Sequence, residues 1–207
     1  WADLLGCEHL AATTLHEAGL PAALSQCLHA DGYTFLEVRR FDRAADTLGR
    51  RGSVSLQGRE AASAGEGGRD WGRFGERPAA DGWITTQDAT QMARLHWFGR
   101  FIDNSDMHAG NLGFRLENDR PLALAPAYDM LPMALAPSRT GAVRPLETVR
   151  PTPPDRTGQI EHIRWAAGAA IAFWHRVADS ELIGSDDMRA LARANIDAVG
   201  NFSRQFA

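Results

Sequence analysis

The chain has 207 residues, 44% hydrophobic and 23% charged, with a formal net charge of -4 at pH 7. This composition fits one large globular domain, or a domain with an appendage, and excludes a disordered chain. The negative balance argues against direct nucleic-acid binding by bulk electrostatics, although Arg39, Arg40, Arg43, Arg50 and Arg51 form one local basic run. The longest apolar run, residues 165–174, falls far short of the roughly 20 residues of a membrane span. Cys7 and Cys27 are too few and too widely spaced for a disulfide scaffold or a zinc site. Two free thiols favour a reducing, cytoplasmic setting.

The predicted elements begin with a helix over residues 3–18. Leu4, Cys7, Ala11, Leu15 and Ala18 recur at helical spacing, and Gly19 and Pro21 stop it. Residues 23–30 are ambiguous. The turn Asp31-Gly32 precedes a strand over residues 33–38, which runs into Arg39-Arg40-Phe41-Asp42-Arg43. From Gln57 to Gly82 glycine, alanine, arginine and glutamate dominate without periodicity. This predicts a long surface loop, pinned to the body by Trp71, Phe74 and Trp83. Thr85 or Thr86 caps a helix to about Ile102, with Ala89, Met92, Leu95, Phe98 and Ile102 as its apolar stripe. Residues 112–116 and 122–125 read as a hairpin about a turn at Glu117-Asn118-Asp119. An irregular stretch over residues 131–158 leads to two helices, near 159–178 and 186–205. Ser185 caps the second, and Asp186 and Asp187 suit its first turn.

The helix ending near Ile102 delivers the chain to Asn104-Ser105-Asp106-Met107-His108-Ala109-Gly110-Asn111. Burying Asp106, His108 and Asn111 together costs free energy unless each finds a partner. The hairpin returns a further carboxylate, Asp129, toward Asn111. Phosphoryl transfer needs a carboxylate to orient an attacking hydroxyl and oxygen ligands to hold magnesium at the phosphates. Asp106 and Asn111 have the spacing of the base and metal ligand in the kinase HRDxxxxN loop. A metal-dependent hydrolase built on His96, His108, Asp106 and Asp129 is the competing reading, but no HxH or HExxH spacing supports it. On residue type alone His108 orients the loop, Glu8 is a surface acid, and Asp42 pairs with Arg43 or caps a turn. Trp97, Phe98 and Phe101 read as core.

With these motifs in place, the chain resembles the HipA family of serine/threonine kinases, the toxins of bacterial toxin–antitoxin pairs. Asn104–Asn111 looks like the family's N-x-D-x-H-x-x-N loop. Ala127-Tyr128-Asp129-Met130 looks like its metal-binding Y-D motif, and Arg40-Phe41-Asp42-Arg43 like its R-F-D-R segment after the hinge strand. The resemblance implies an α+β, kinase-like fold, mainly a helical C-terminal lobe with a small hairpin. It divides the chain into a remnant of the small lobe and hinge (1–43), a loop-rich insertion (44–84) and the helical lobe (85–207). It implies ATP and Mg²⁺ as cofactors, with Asp106 as catalytic base and Asn111 and Asp129 as metal ligands. Arg39 and Phe41 would meet the adenine through backbone groups, Asp42 would lie near the ribose, and Glu8 and His108 would play supporting roles. It also implies a protein substrate such as an aminoacyl-tRNA synthetase, and an antitoxin partner with DNA-binding activity. The chain departs from the pattern at Gly110, where the family often has lysine. It departs again at Gly49–Leu56, where the family's acidic motif is replaced, as in a divergent branch. The glycine-rich loop and ATP lysine of kinases are not among these residues, and the start at Trp1 fits a fragment. A non-catalytic kinase-like module, binding an antitoxin, DNA or another regulator, is the alternative.

Overall fold

The computed structural model describes residues 1–44, 46–47, 49–61, 70–116, 119–138, 140–142 and 145–206, and all their side chains except those of 59–61 and 157. Helix α1 (Ala2–Glu17) leads into a hairpin of β1 (Ser25–Ala30) and β2 (Tyr33–Val38). Asp31 and Gly32 both take positive φ, 51° and 78°, as a two-residue turn matched to strand twist requires. The ambiguous residues 23–30 thus resolve as the strand that pairs Ala30 with Tyr33 and Ser25 with Val38.

Next come β3 (Ser53–Ser55), α2 (Leu56–Ala61), α3 (Trp71–Ala80) and α4 (Thr86–Phe101). The expected surface loop is therefore largely helical where it is described; residues 62–69 lie outside the described set. The glycines that suggested a loop serve close packing instead. A Cβ on Gly72 would lie 3.0 Å from the Cα of Ala93, and one on Gly75 3.1 Å from that of Ala89. Two glycines one helical turn apart let α3 lie directly against α4. Trp71 is buried, and Phe74 and Trp83 pack on the core, so the expected aromatic pinning holds. Thr85 caps α4 in a reciprocal capping box with Asp88.

The predicted hairpin forms from β4 (Gly113–Arg115) and β5 (Ala123–Leu124), with Phe114 opposite Leu124. Of its expected turn, residues 117 and 118 lie outside the described residues. β3, too short to show a period, pairs with β4 to give the sheet order β3-β4-β5. Helices α5 (Ile160–Asp179) and α6 (Asp186–Ser203) complete the chain, and the Ser185 hydroxyl accepts from the Met188 N–H as expected. One core joins α1, α4, α5 and α6. In it the Trp174 indole donates to the carbonyl of Phe101 at 3.0 Å, Phe98 meets Phe173 edge-on, and Phe101 packs against Phe202. The last turn of α4 is thereby fixed to α5 and α6 just before the polar loop.

The α3–α4 contact has a measurable consequence. Gly75→Val should destabilise the chain by about 1–3 kcal/mol through overpacking, read as a lower urea midpoint at unchanged m-value.

Candidate active site

The polar loop is built around Asn104. Its N–H donates to Gly99 O (2.8 Å), its Nδ2 donates to Asp129 O (3.3 Å), and its Oδ1 accepts from the Asp106 N–H (3.0 Å). One buried residue thus couples the end of α4, through its backbone, to the loop and the Asp129 segment, through its side chain. Met107 is buried at a notch in α4 left by Gly99, where any Cβ would run into the Met107 sulfur. His108 Nδ1 accepts from the Gly110 N–H at 2.9 Å and caps the short 3₁₀ turn Ala109–Asn111. Gly110 belongs to that cap, because a Cβ there would lie 2.7 Å from the His108 ring.

Asn111 is buried and donates Nδ2 to Asp106 O at 3.0 Å, so Asp106 and the amide are held in one small loop. The Asn111 Oδ1 makes no hydrogen bond among the described residues. Tyr128 donates to Gly110 O at 2.8 Å, which ties the Asp129 segment to the loop. The Asp129 segment is also held to the stretch after α1. Ala127 donates to Pro21 O (2.9 Å) and accepts from the Ala23 N–H (2.8 Å). Asp129 has φ of 59°, a left-handed conformation that aspartate tolerates better than most residues.

The electrostatics are those of an acidic site. Burial raises the pKa of Asp129, the charge of Asp106 raises it further, and His108 partly offsets this. Burial likewise raises Glu8, and the charge of Asp129 adds to it, while the polar backbone of Asp129 offsets part of the rise. Glu8 is therefore no surface acid. α1 carries it to Asp129, and it makes no ion pair among the described residues. The chain contains no lysine; all 22 of its basic residues are arginine. Asn111 Oδ1 and the Asp129 carboxylate are hard oxygen donors, the carboxylate makes no close ion pair among the described residues, and both suit Mg²⁺, which is commonly held by few protein oxygens.

A cavity of about 370 Å³ lies beside this cluster, lined by Val38, Arg39, Phe41, Val54 and Tyr128 among others. Phe41 stacks on Tyr128 with ring centroids 5.7 Å apart. Arg40 and Phe41 make no backbone–backbone hydrogen bond among the described residues, so their peptide groups remain open to a planar ligand. The Arg39 N–H is already given to Leu24 O at 2.7 Å. Asp42 is forked with Arg40, at 2.7 and 2.6 Å, rather than paired mainly with Arg43 at 4.0 Å. That fork holds the Asp42 carboxyl below its usual range.

Asp106, Asn111, Asp129, Glu8 and His108 are thus brought together, while Arg39, Phe41 and Asp42 line the adjoining cavity. His96 instead sits 3.9 Å from Asp70, apart from the pairing the hydrolase reading needs. Sequence reasoning left out Asn104 as the loop's hub, Tyr128 as the shared wall, and Val54. The first two lay within quoted motifs; a three-residue strand gave Val54 no signal.

Solved structures of similar fold define the class. The chain overlays the Helicobacter pylori proinflammatory kinase CtkA with a TM-score of 0.63 at 12% identity, covering 99% of this chain and 84% of that one. It overlays HipA, solved with HipB and operator DNA from Shewanella oneidensis MR-1, with a TM-score of 0.59 at 14% identity, covering 98% and 55%. The fold is kinase-like. The chain belongs to the HipA-like C-terminal domain family, whose sequence model matches residues 1–179. It is 40% identical over 145 residues to Toxin YjjJ of Escherichia coli (strain K12), covering 70% of this chain and 32% of that protein. The chain therefore spans about a third of that relative's length.

Asp103 offers a test of the loop's electrostatics. It too has φ of 59°, and burial, then Glu147, raises its pKa. A raised acid stabilises the fold fully below its ordinary pKa, near pH 4, and loses that contribution as pH rises through the folded value. Asp103→Asn keeps the left-handed backbone and removes the charge. Its melting temperature should exceed that of the parent at pH 8 and match it near pH 4.

Proposed function

We propose that the chain forms the catalytic body of an ATP- and Mg²⁺-dependent serine/threonine protein kinase of the HipA toxin type, acting in the cytoplasm. The observation that carries this is the junction of Asp106, Asn111 and Asp129 through Asn104, beside a cavity walled by Phe41 and Tyr128. Asp106 orients the substrate hydroxyl and takes its proton as the oxygen attacks the γ-phosphorus of ATP. A new O–P bond forms, and the bond to the β–γ bridging oxygen breaks to release ADP. Mg²⁺, when bound, neutralises charge on the phosphates. Asn111 Oδ1 and Asp129 would hold it, while Phe41 and the free peptide groups of Arg40 and Phe41 would seat the adenine. Asp42 is committed to Arg40 and would reach a ribose only by sharing that fork. Much of the rate then comes from positioning and charge stabilisation.

The substrate would be a protein such as an aminoacyl-tRNA synthetase. The HipA structure contains HipB and operator DNA, which supports an antitoxin with DNA-binding activity as partner. A second reading rests on Glu8, a half-buried acid that makes no ion pair among the described residues. It is a kinase-like module that does no chemistry and binds an antitoxin, DNA or another regulator.

Two measurements separate the readings. In the complete protein, Asp106→Ala should slow phosphate transfer about 10²- to 10⁴-fold; unchanged transfer removes Asp106 from its role. ATP with Mg²⁺ at about 100 times its dissociation constant should stabilise the complete protein by about 2.7 kcal/mol. That gain should vanish in Asp129→Ala. A complete protein with no response to the nucleotide supports the non-catalytic reading.

A further inference from the structure

A second cavity, of about 490 Å³, touches the catalytic loop from a side that shares no residue with the hinge cavity. Asn104, Ser105 and Met107, the sequence neighbours of Asp106, contribute to its lining. So do Asp70, Arg100, Asp155 and Gln159. Gln159 is only 8% exposed, yet its side-chain amide makes no hydrogen bond among the described residues. Its amide is not enclosed in the core but lines the cavity, where an incoming polar group can pair with it.

The charges indicate which group. Arg100 lies over the Trp97 ring, 4.5 Å from its centroid, and donates to the Thr152 hydroxyl. Asp70 and Asp155 both act on it electrostatically, without a close ion pair among the described residues. The neighbouring Arg156 acts on the same two carboxylates, but Glu76 holds its guanidinium in a fork at 2.9 and 3.2 Å. Asp70 uses Oδ1 to cap α3 through the Arg73 N–H, and its Oδ2 makes no hydrogen bond among the described residues. Asp155 is exposed and makes neither hydrogen bond nor close ion pair among them. Asp70 Oδ1 also lies 3.9 Å from His96 Nε2, which lines the same wall, while Asp70 Oδ2, the Asp155 carboxylate and the Gln159 amide make no hydrogen bond among the described residues. Pro153 and Pro154 add a rigid rim against which an aliphatic stem can lie.

We propose that this cavity receives an arginine or lysine side chain of the protein substrate and thereby selects segments carrying a basic residue near the phosphorylated serine or threonine. This rests on the kinase reading for its purpose, but not for its test. The Asp70 and Asp155 carboxylates and the Gln159 carbonyl accept from the incoming cation, and Ser105, next to Asp106 in sequence, places the docked residue beside the acceptor hydroxyl.

The probe is a set of fluorescein-labelled, serine-centred nonapeptides in which one arginine is walked through the other positions. Each is matched by the peptide with citrulline there, which has the shape of arginine without its charge. Binding to the full chain is read by anisotropy at about 0.15 M salt, where long-range attraction is screened. At one or two neighbouring positions arginine should bind about tenfold more tightly than citrulline, as for one charge-assisted hydrogen bond. Asp155→Arg should erase the difference, and Asp70→Asn, which keeps the helix cap, should reduce it. Melting temperatures of both variants confirm that they fold. Equal affinities for arginine and citrulline at every position overturn the proposal, as does a preference that survives Asp155→Arg. Because binding needs no chemistry, a peptide preference alongside a complete protein that transfers no phosphate leaves the pocket standing and rejects the kinase reading alone.

Discussion

The anchoring of the last turn of α4 is the constraint on which the site depends. The Trp174 indole holds the Phe101 carbonyl while Phe98 and Phe101 are packed by Phe173 and Phe202. A buried hydrogen bond of this kind contributes about 1 kcal/mol net, and the aromatic burial around it contributes more. Position matters more than the sum. Asn104 follows Phe101 by three residues and must reach back to Gly99 and across to Asp129 in a fixed frame. A helix end free to fray would let Asp106 drift from Asn111 and Asp129 together.

The loop itself is held by absences of side chain as much as by contacts. Gly99 leaves the notch that takes Met107, and Gly110 leaves the space for the His108 ring. Gly110 is committed to the backbone cap on His108, so the absence of a side chain there serves a rigid turn.

Around this frame lie Glu8, Asp106 and Asp129, close enough that Asp129 raises Glu8 and Asp106 raises Asp129. Without a cation such an arrangement is unfavourable, since burial and like charge both oppose ionisation. Fixed hydrogen bonds maintain it: Asn104 on one side, and the Ala127 pairing with Pro21 and Ala23 on the other. An acidic cluster kept together against its own repulsion suits the binding of positive charge, and Asn111 Oδ1 adds a neutral oxygen to it.

The sequence alone determined the long elements and the motifs, because these are written locally. The apolar stripes of α1, α4 and α5, the Thr85 and Ser185 caps, the Asp31-Gly32 turn and the Asp106–Asn111 spacing need no distant partner to be recognised. The α3 helix was not legible, because Gly72 and Gly75 carry a loop signal whose meaning changes only when Ala89 and Ala93 are placed against them. Strand β3 has three residues and gains its hydrogen bonds from β4, sixty residues away. Only the tertiary structure decided that Glu8 is half-buried near Asp129, that Asp42 is taken by Arg40, and that Gln159 and Asp155 line one cavity with Asn104, Ser105 and Met107. Each is a contact between segments far apart in sequence, or a choice between two equally charged neighbours. Composition and periodicity carry no information about either.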